Sequence, residues 1–205
     1  MMNYRTVCTL VLAVGMAAGP VWAKNAPARA KAKIGKPAPD FTLKSTDGKE
    51  FKLSDFAGKV VVLEWTNHQC PVVGRYVVGG KKMQKTAAMF KDTDVVWLSV
   101  DSSHFCEDEL ENIKKFRLKN GIEYPTLLDA SGKVGKTFGA KTTPHMFVID
   151  RKGILIYAGP LDTDQYGDKP DARNYVLEAV NAGMTGSAPG VSEAKPFGCS
   201  VKYKP

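Results

Sequence analysis

The chain has 205 residues, 43% of them apolar, and a formal net charge of +8. That apolar share is enough for one globular domain with its own core. The positive excess does not point to nucleic acid, because much of it lies in the segment 24–36, where no aromatic residue interleaves with the charges.

The N-terminus reads as an export signal. Met1 to Arg5 forms a short positive head, residues 6–19 are almost wholly apolar or small, and Val21-Trp22-Ala23 offers a small-x-small cleavage site, with Ala28-Arg29-Ala30 as a second one. The apolar run is too short to span a bilayer comfortably, so residues 1–23 are expected to be removed on secretion. Cys8 leaves with them, and the loss of Arg5 takes the formal charge from +8 to +7. A periplasmic or secreted location follows, with membrane contact at most peripheral. Residues 24–36 are expected to be a mobile basic leader, 37–184 one domain, and 185–205 a tail that carries a cysteine.

Within the domain, Phe41–Leu43 and Glu50–Leu53 are short strand candidates around a turn at Thr46-Asp47-Gly48. Val60–Trp65 is apolar apart from Glu64, as in a strand buried on both faces. A helical stretch follows from Pro71 to about Phe90, with a break expected at Gly79-Gly80. Asp94–Val100 is a second central strand. Glu107–Lys119 reads as a helix with an acidic start, a basic end and a stop at Gly121. Pro125–Leu128 is a short strand and Lys133–Phe138 a helical turn. His145–Asp150 and Ile154–Tyr157 form a hairpin, and a last helix is expected from about Asp171 to Ala182, ended by Gly183. Strand–helix–strand units need a parallel core and the hairpin adds antiparallel strands, which makes an α/β sandwich with a mixed sheet.

Cys70 falls between the carboxyl end of one strand and the start of a helix, and Pro71 suits a first helical position. Free backbone N–H groups there favour a thiolate, the reactive form of cysteine. Cleft sites in α/β sheets lie at such strand ends. Lys141-Thr142-Thr143-Pro144 precedes another strand, and its proline is either punctuation or a cis-proline.

The segments 142–150 (TTPHMFVID), 60–71 (VVVLEWTNHQCP) and 36–43 (KPAPDFTL) resemble the thioredoxin-fold redoxin superfamily, and more narrowly its peroxiredoxin-like (alkyl hydroperoxide reductase and thiol-specific antioxidant) and periplasmic thioredoxin-like branches. The resemblance covers residues 34–184 and implies a thioredoxin-like sandwich, a central mixed β-sheet flanked by helices. It also implies Cys70 as nucleophile and Thr143 with Pro144 as the loop that positions substrate. The match to a peroxiredoxin is incomplete. Counted back from Cys70, the place of the peroxide-orienting threonine is Asn67 and that of its proline is Leu63, while Pro144 stands where an arginine is expected. The leading expectation is therefore thiol–disulfide exchange with protein or small-molecule thiols and disulfides, restored by an external thiol reductant. Thiol-dependent peroxide reduction is the alternative.

Val73 occupies the place of the second cysteine of a C-x-x-C pair, so the thiol that releases a mixed disulfide must come from elsewhere. Cys199 in the tail, Cys106 in the loop after the second central strand, and an external thiol are the candidates; a structural Cys106–Cys199 disulfide that leaves Cys70 free also stays open. Three cysteines after export leave at least one unpaired within the chain. For His68 and His145 two readings stay open, a place near Cys70, where an imidazolium would lower the thiol pKa, and a solvated or capping side chain. With Cys70 they could also bind copper or zinc, a third reading, although the C-x-x-x-C pair of copper-chaperone redoxins is missing. No cofactor is expected. Trp65 and Trp97 read as core residues, and for Glu64 a buried proton-handling carboxylate and an edge-facing side chain both stay open.

Overall fold

The computed structural model describes residues 31–166, 168–169 and 171–204. The expected signal segment and most of the basic leader lie outside the described residues. The elements, in chain order, are β1 (Thr42–Ser45), β2 (Glu50–Lys52), a 3₁₀ turn (Leu53–Phe56), β3 (Val60–Trp65), α1 (Pro71–Val77), α2 (Lys82–Ala88), β4 (Val95–Asp101), α3 (Leu110–Asn120), β5 (Thr126–Leu128), α4 (Lys133–Phe138), β6 (Thr142–Thr143), β7 (His145–Ile149), β8 (Leu155–Gly159), α5 (Tyr175–Thr185) and β9 (Cys199–Ser200).

Seven strands form one mixed sheet in the order β2-β1-β5-β4-β3-β7-β8, and β6 pairs with β9 in a separate two-stranded ribbon. β3 runs parallel to β4 and antiparallel to β7, and all six of its residues are buried. Its continuous apolar run is what a strand covered on both faces requires. Val61, Leu63 and Trp65 face one core layer with Phe138 of α4, Phe147 and Leu98. Val60 and Val62 face the other layer with Val73 and Val77 of α1, Met83 of α2 and Val176 and Val180 of α5. This is the thioredoxin-like α/β sandwich that the sequence implied.

Several boundaries differ from expectation for local reasons. The 71–90 stretch is indeed broken: Gly80 (φ +76°) and Lys81 (φ +53°) turn the chain between α1 and α2. α3 begins at Leu110 rather than Glu107, because the chain before it winds through turns in which the Cys106 and Glu109 N–H groups bond Ser103 O and Phe105 O. α5 begins at Tyr175 rather than Asp171: Asn174 caps it by accepting from the Leu177 N–H at 2.9 Å. Its stop is Gly186, not Gly183. Gly183 lies inside the helix, where a Cβ would sit 3.2–3.3 Å from Ile156 and Val60.

Residues 31–36 are pinned rather than loose. Ala32 N–H bonds Thr137 O, Gly35 N–H bonds Leu155 O, and Ile34 packs on the core. The tail is pinned too. It follows the free edge of β8 through Ala158 N–H to Ser192 O and Ala194 N–H to Ala158 O, both 3.0 Å, then crosses to β6. Among the described residues no helix is long and apolar enough to cross a membrane.

Leu63→Ala removes a fully buried side chain from the middle of β3. It is expected to cost about 2–5 kcal/mol, read as a lower urea midpoint at an unchanged slope. A loss below about 1 kcal/mol would contradict the packing described for the strand.

Candidate functional site

β3 ends at Trp65, and the next five residues carry the chain to α1. Asn67 shapes that loop. Its carbonyl Oδ1 accepts from the Gln69 N–H at 2.7 Å, its side-chain amide donates to Ser103 Oγ at 2.6 Å, and its main-chain carbonyl takes the Cys70 N–H at 3.0 Å. Cys70 then stands as the N-cap of α1 with extended backbone (φ −79°, ψ 119°), and Pro71 opens the helix. The residue is 5% exposed.

Across from it, the Thr143–Pro144 peptide bond is cis. The Cys70 Sγ–H donates to the Thr143 main-chain carbonyl at 3.0 Å. The Thr143 hydroxyl is buried, is bonded to no other group, and lies close enough to Cys70 Sγ to favour its thiolate. Thr143 also pairs with Cys199: β6 and β9 run antiparallel with Thr143 opposite Cys199 and Thr142 opposite Ser200. The tail thus delivers Cys199 to the same main-chain segment that holds Cys70.

The two thiols polarise one another. Burial raises the Cys70 pKa, but hydrogen bonds from the Cys199 thiol, the Thr143 side chain and the N–H groups of Val73 and Cys199 outweigh it, so the thiol lies below its ordinary value. The Cys199 thiol is pushed up by burial and by the hydrogen bond and negative charge of Cys70. This asymmetry favours proton loss from Cys70 over proton loss from Cys199.

Other residues expected beside Cys70 are placed elsewhere. His68 turns to α3: its Nε2 lies 3.5 Å from a Glu109 carboxylate oxygen, and its ring meets Phe116 edge to face. His145 is buried directly after the cis-proline, its ring tilted 41° against Phe147 with centroids 4.4 Å apart, and its Nδ1 accepts from the Lys141 N–H. Burial and the nearby Lys141 lower its pKa to about 3, so it is neutral and supplies no imidazolium. Cys106 is fully buried and is not brought to Cys70. Burial, then the charges of Asp101, Glu107 and Asp129, push its thiol up to about 12. All three described cysteines are free thiols in the structure, and the cavity lined by Cys70 and Cys199 does not include Cys106. The Cys70–His68–His145 metal set is not assembled, and among the described residues no cluster of three or more His, Cys, Asp or Glu could hold a metal ion.

Glu64 is neither at an edge nor beside the thiols. It is 1% exposed on β3 and accepts from Trp97 Nε1 at 3.0 Å, and the Tyr124 hydroxyl lies near enough to favour its charged form. Burial outweighs both and raises its pKa to about 7. Gly198 and Lys202 are site residues that the sequence reading left out. Gly198 has φ +145°, and a Cβ on it would strike the Thr143 carbonyl, so only glycine lets the tail lie this close. Lys202 lines the cavity of about 280 Å³ that opens at Cys70 and Cys199, together with Phe105 and Thr143.

Comparison with known proteins agrees with this geometry. Residues 34–158 match the model of the AhpC/TSA family. The chain belongs to the AhpC/TSA family. It is similar to the thiol-disulfide oxidoreductase ResA of Bacillus thuringiensis subsp. konkukian, 29% identical over 127 residues that make up 62% of this chain and 69% of that one. A crystal structure of a hypothetical protein from Sinorhizobium meliloti 1021 superposes with a TM-score of 0.72 at 26% identity, over 85% of this chain and 96% of that one. The fold likeness extends to the thioredoxin domain of a thiol-disulfide oxidoreductase from Bacteroides vulgatus, TM-score 0.53 at 22% identity, over 62% of this chain and 89% of that one. Within the family framework this member carries its second site thiol on a C-terminal strand, and the Asn67 amide is already engaged with Ser103 and Gln69.

Two outcomes follow from the charge states. In Cys199→Ala the apparent pKa of Cys70 is expected to rise, measured as the pH dependence of its alkylation resolved by mass spectrometry; an unmoved profile would remove Cys199 from the thiolate's donors. Glu64, with a folded pKa of about 7 against an ordinary value of 4.5, costs no stability below pH 4.5, where it is protonated in both states. As pH rises from 4.5 to about 7 the folded state is increasingly penalised, and above that the penalty levels off at roughly 3 kcal/mol. Glu64→Gln is therefore expected to be more stable than wild type at pH 8, with the difference vanishing near pH 4.5, in urea titrations across that range.

Proposed function

We propose that the chain is an exported thiol–disulfide oxidoreductase in which Cys70 attacks and Cys199 resolves. The chain is an oxidoreductase with a thioredoxin-like fold, acting on thiols or disulfides. What supports the finer reading is one observation: Cys199 is held opposite Thr143 in the β6–β9 ribbon, and the Thr143 carbonyl accepts the Cys70 thiol.

The Cys70 thiolate attacks one sulfur of a substrate disulfide, and the other sulfur leaves as a thiolate that takes up a proton. The Cys199 thiol then loses its proton and attacks Cys70 Sγ. This forms the Cys70–Cys199 disulfide and expels the second substrate thiol. The substrate gains two electrons and the protein loses two; an external dithiol or two monothiols restore it. Thr143 serves both states of the sulfur: its carbonyl accepts from the Cys70 thiol, and its hydroxyl donates to the thiolate. Asn67 holds the loop. His68 and Cys106 have no part in these steps. Peroxide reduction is the weaker reading, because among the described residues no arginine lines the Cys70 cavity and Asn67 is committed to the loop. Export rests on the sequence of residues 1–23 and is checked by the N-terminus of the protein recovered from the periplasmic fraction.

Cys70→Ser is expected to abolish disulfide turnover, a loss of at least about 10³-fold. Cys199→Ser is expected to accumulate mixed disulfides on Cys70 and to slow turnover at least about tenfold. Mild oxidation of the wild type should give a Cys70–Cys199 bond by peptide mapping. Unchanged turnover in Cys199→Ser, or a bond mapped to Cys106, would end this assignment. A rate of Cys70 with hydrogen peroxide many orders of magnitude above that of free thiolate would turn the reading to a peroxidase.

A further inference from the structure

A polypeptide disulfide that reaches Cys70 must lay its backbone somewhere. The strand edge beside Cys70 is Thr142–Thr143, where the Thr143 carbonyl accepts from Cys70 Sγ. Extended peptides commonly bind by adding a strand to such an edge. Here the edge is taken by the chain's own tail, with Cys199 where the cysteine of a bound peptide would lie.

That tail is fastened on both sides of Cys199. Upstream, Ser192 and Ala194 bond the edge of β8, and Phe197 stacks on Tyr76 at 6.5 Å between centroids. Downstream, Val201 N–H bonds Lys141 O, His104 N–H takes Lys202 O at 2.8 Å, and Val201 is buried in the core. The Tyr203 hydroxyl donates to Ala140 O at 2.8 Å, and its ring covers Gly132 and Gly135. What stays open is the cavity of about 280 Å³ with Phe105 on its wall and the Lys202 ammonium at its rim.

We infer that the site takes low-molecular-weight disulfides, preferentially those bearing a carboxylate, and excludes polypeptide disulfides as long as the tail strand is seated. This rests on the Cys70–Cys199 exchange proposed above and adds the class of substrate. Cys70 forms the mixed disulfide with one half of the small molecule and releases the other half as thiol; Cys199 then releases the second half. The Lys202 charge contributes attraction for a carboxylate as it enters, an effect weakened by salt.

The test is the single-turnover reaction of the reduced full chain with four probes: oxidised glutathione (anionic), bis(2-hydroxyethyl) disulfide (neutral), cystamine (cationic) and insulin. The small disulfides are expected to react at least about a hundredfold faster than insulin, with oxidised glutathione ahead of cystamine, and Lys202→Glu reverses that order. Two variants unseat the strand by independent routes while keeping both thiols. Gly198→Ala pushes the tail off Thr143, and the double variant Val201→Ala/Tyr203→Ala releases its far anchor. Each is expected to raise the insulin rate at least about tenfold relative to the glutathione rate. Equal rates of the wild type with insulin and the small disulfides would overturn the inference while leaving the exchange chemistry intact. So would an unchanged ratio in whichever unseated variant folds by circular dichroism. Rates with every probe no faster than free thiolate would instead sink the exchange reading, and this one with it.

Discussion

Thr143 offers its main chain to two neighbours at once: its carbonyl oxygen accepts the Cys70 thiol, and its place in β6 lies opposite Cys199. The two cysteines are 129 residues apart in sequence, so no local segment could bring them together. The meeting depends on the sheet fixing both partners of Thr143. β3, buried on both faces, carries Cys70 at its carboxyl end through the Asn67 loop, and β7, hydrogen-bonded to β3, begins directly after Pro144. Because β3 and β7 are adjacent and antiparallel, the end of one faces the start of the other. The tail needs only to find β6.

Parts of this were legible in the sequence because they rest on local chemistry. The apolar run Val60–Trp65 needed no partner to be recognised as a central strand, and Cys70-Pro71 read as a strand-to-helix junction from proline's missing N–H alone. The remainder was set by contacts between distant segments. His68 and His145 lie close to Cys70 or Pro144 in sequence, yet one turns to Glu109 and Phe116 and the other is sealed against Phe147. Side-chain direction at a loop and past a cis bond does not follow from spacing. The role of Gly198, close approach to the Thr143 carbonyl, depends on a strand more than fifty residues away and leaves no local signal. The helix starts at Leu110 and Tyr175 were displaced because turns and the Asn174 cap outranked charge patterning.

The buried polar groups divide by task. Glu64, Trp97 and Tyr124 form a carboxylate network inside the sheet, remote from the Cys70 cavity, that costs stability at neutral pH. On another side, Asp162 and Asp164 hold the Lys82 ammonium and the Tyr76 hydroxyl, tying α1 and α2 to the loop after β8. The same Tyr76 ring backs Phe197 of the tail, so that charged cluster is mechanically continuous with the strand bearing Cys199.

Cys106 has a consequence of a different kind. It is sealed in the core with its proton held to high pH, while Cys70 and Cys199 share a cavity open to small molecules. A thiol reagent added to the native domain at neutral pH therefore counts the two site cysteines and passes over the third. The slow appearance of label on Cys106 is a built-in clock for global opening of the domain, read from the same sample that reports the chemistry.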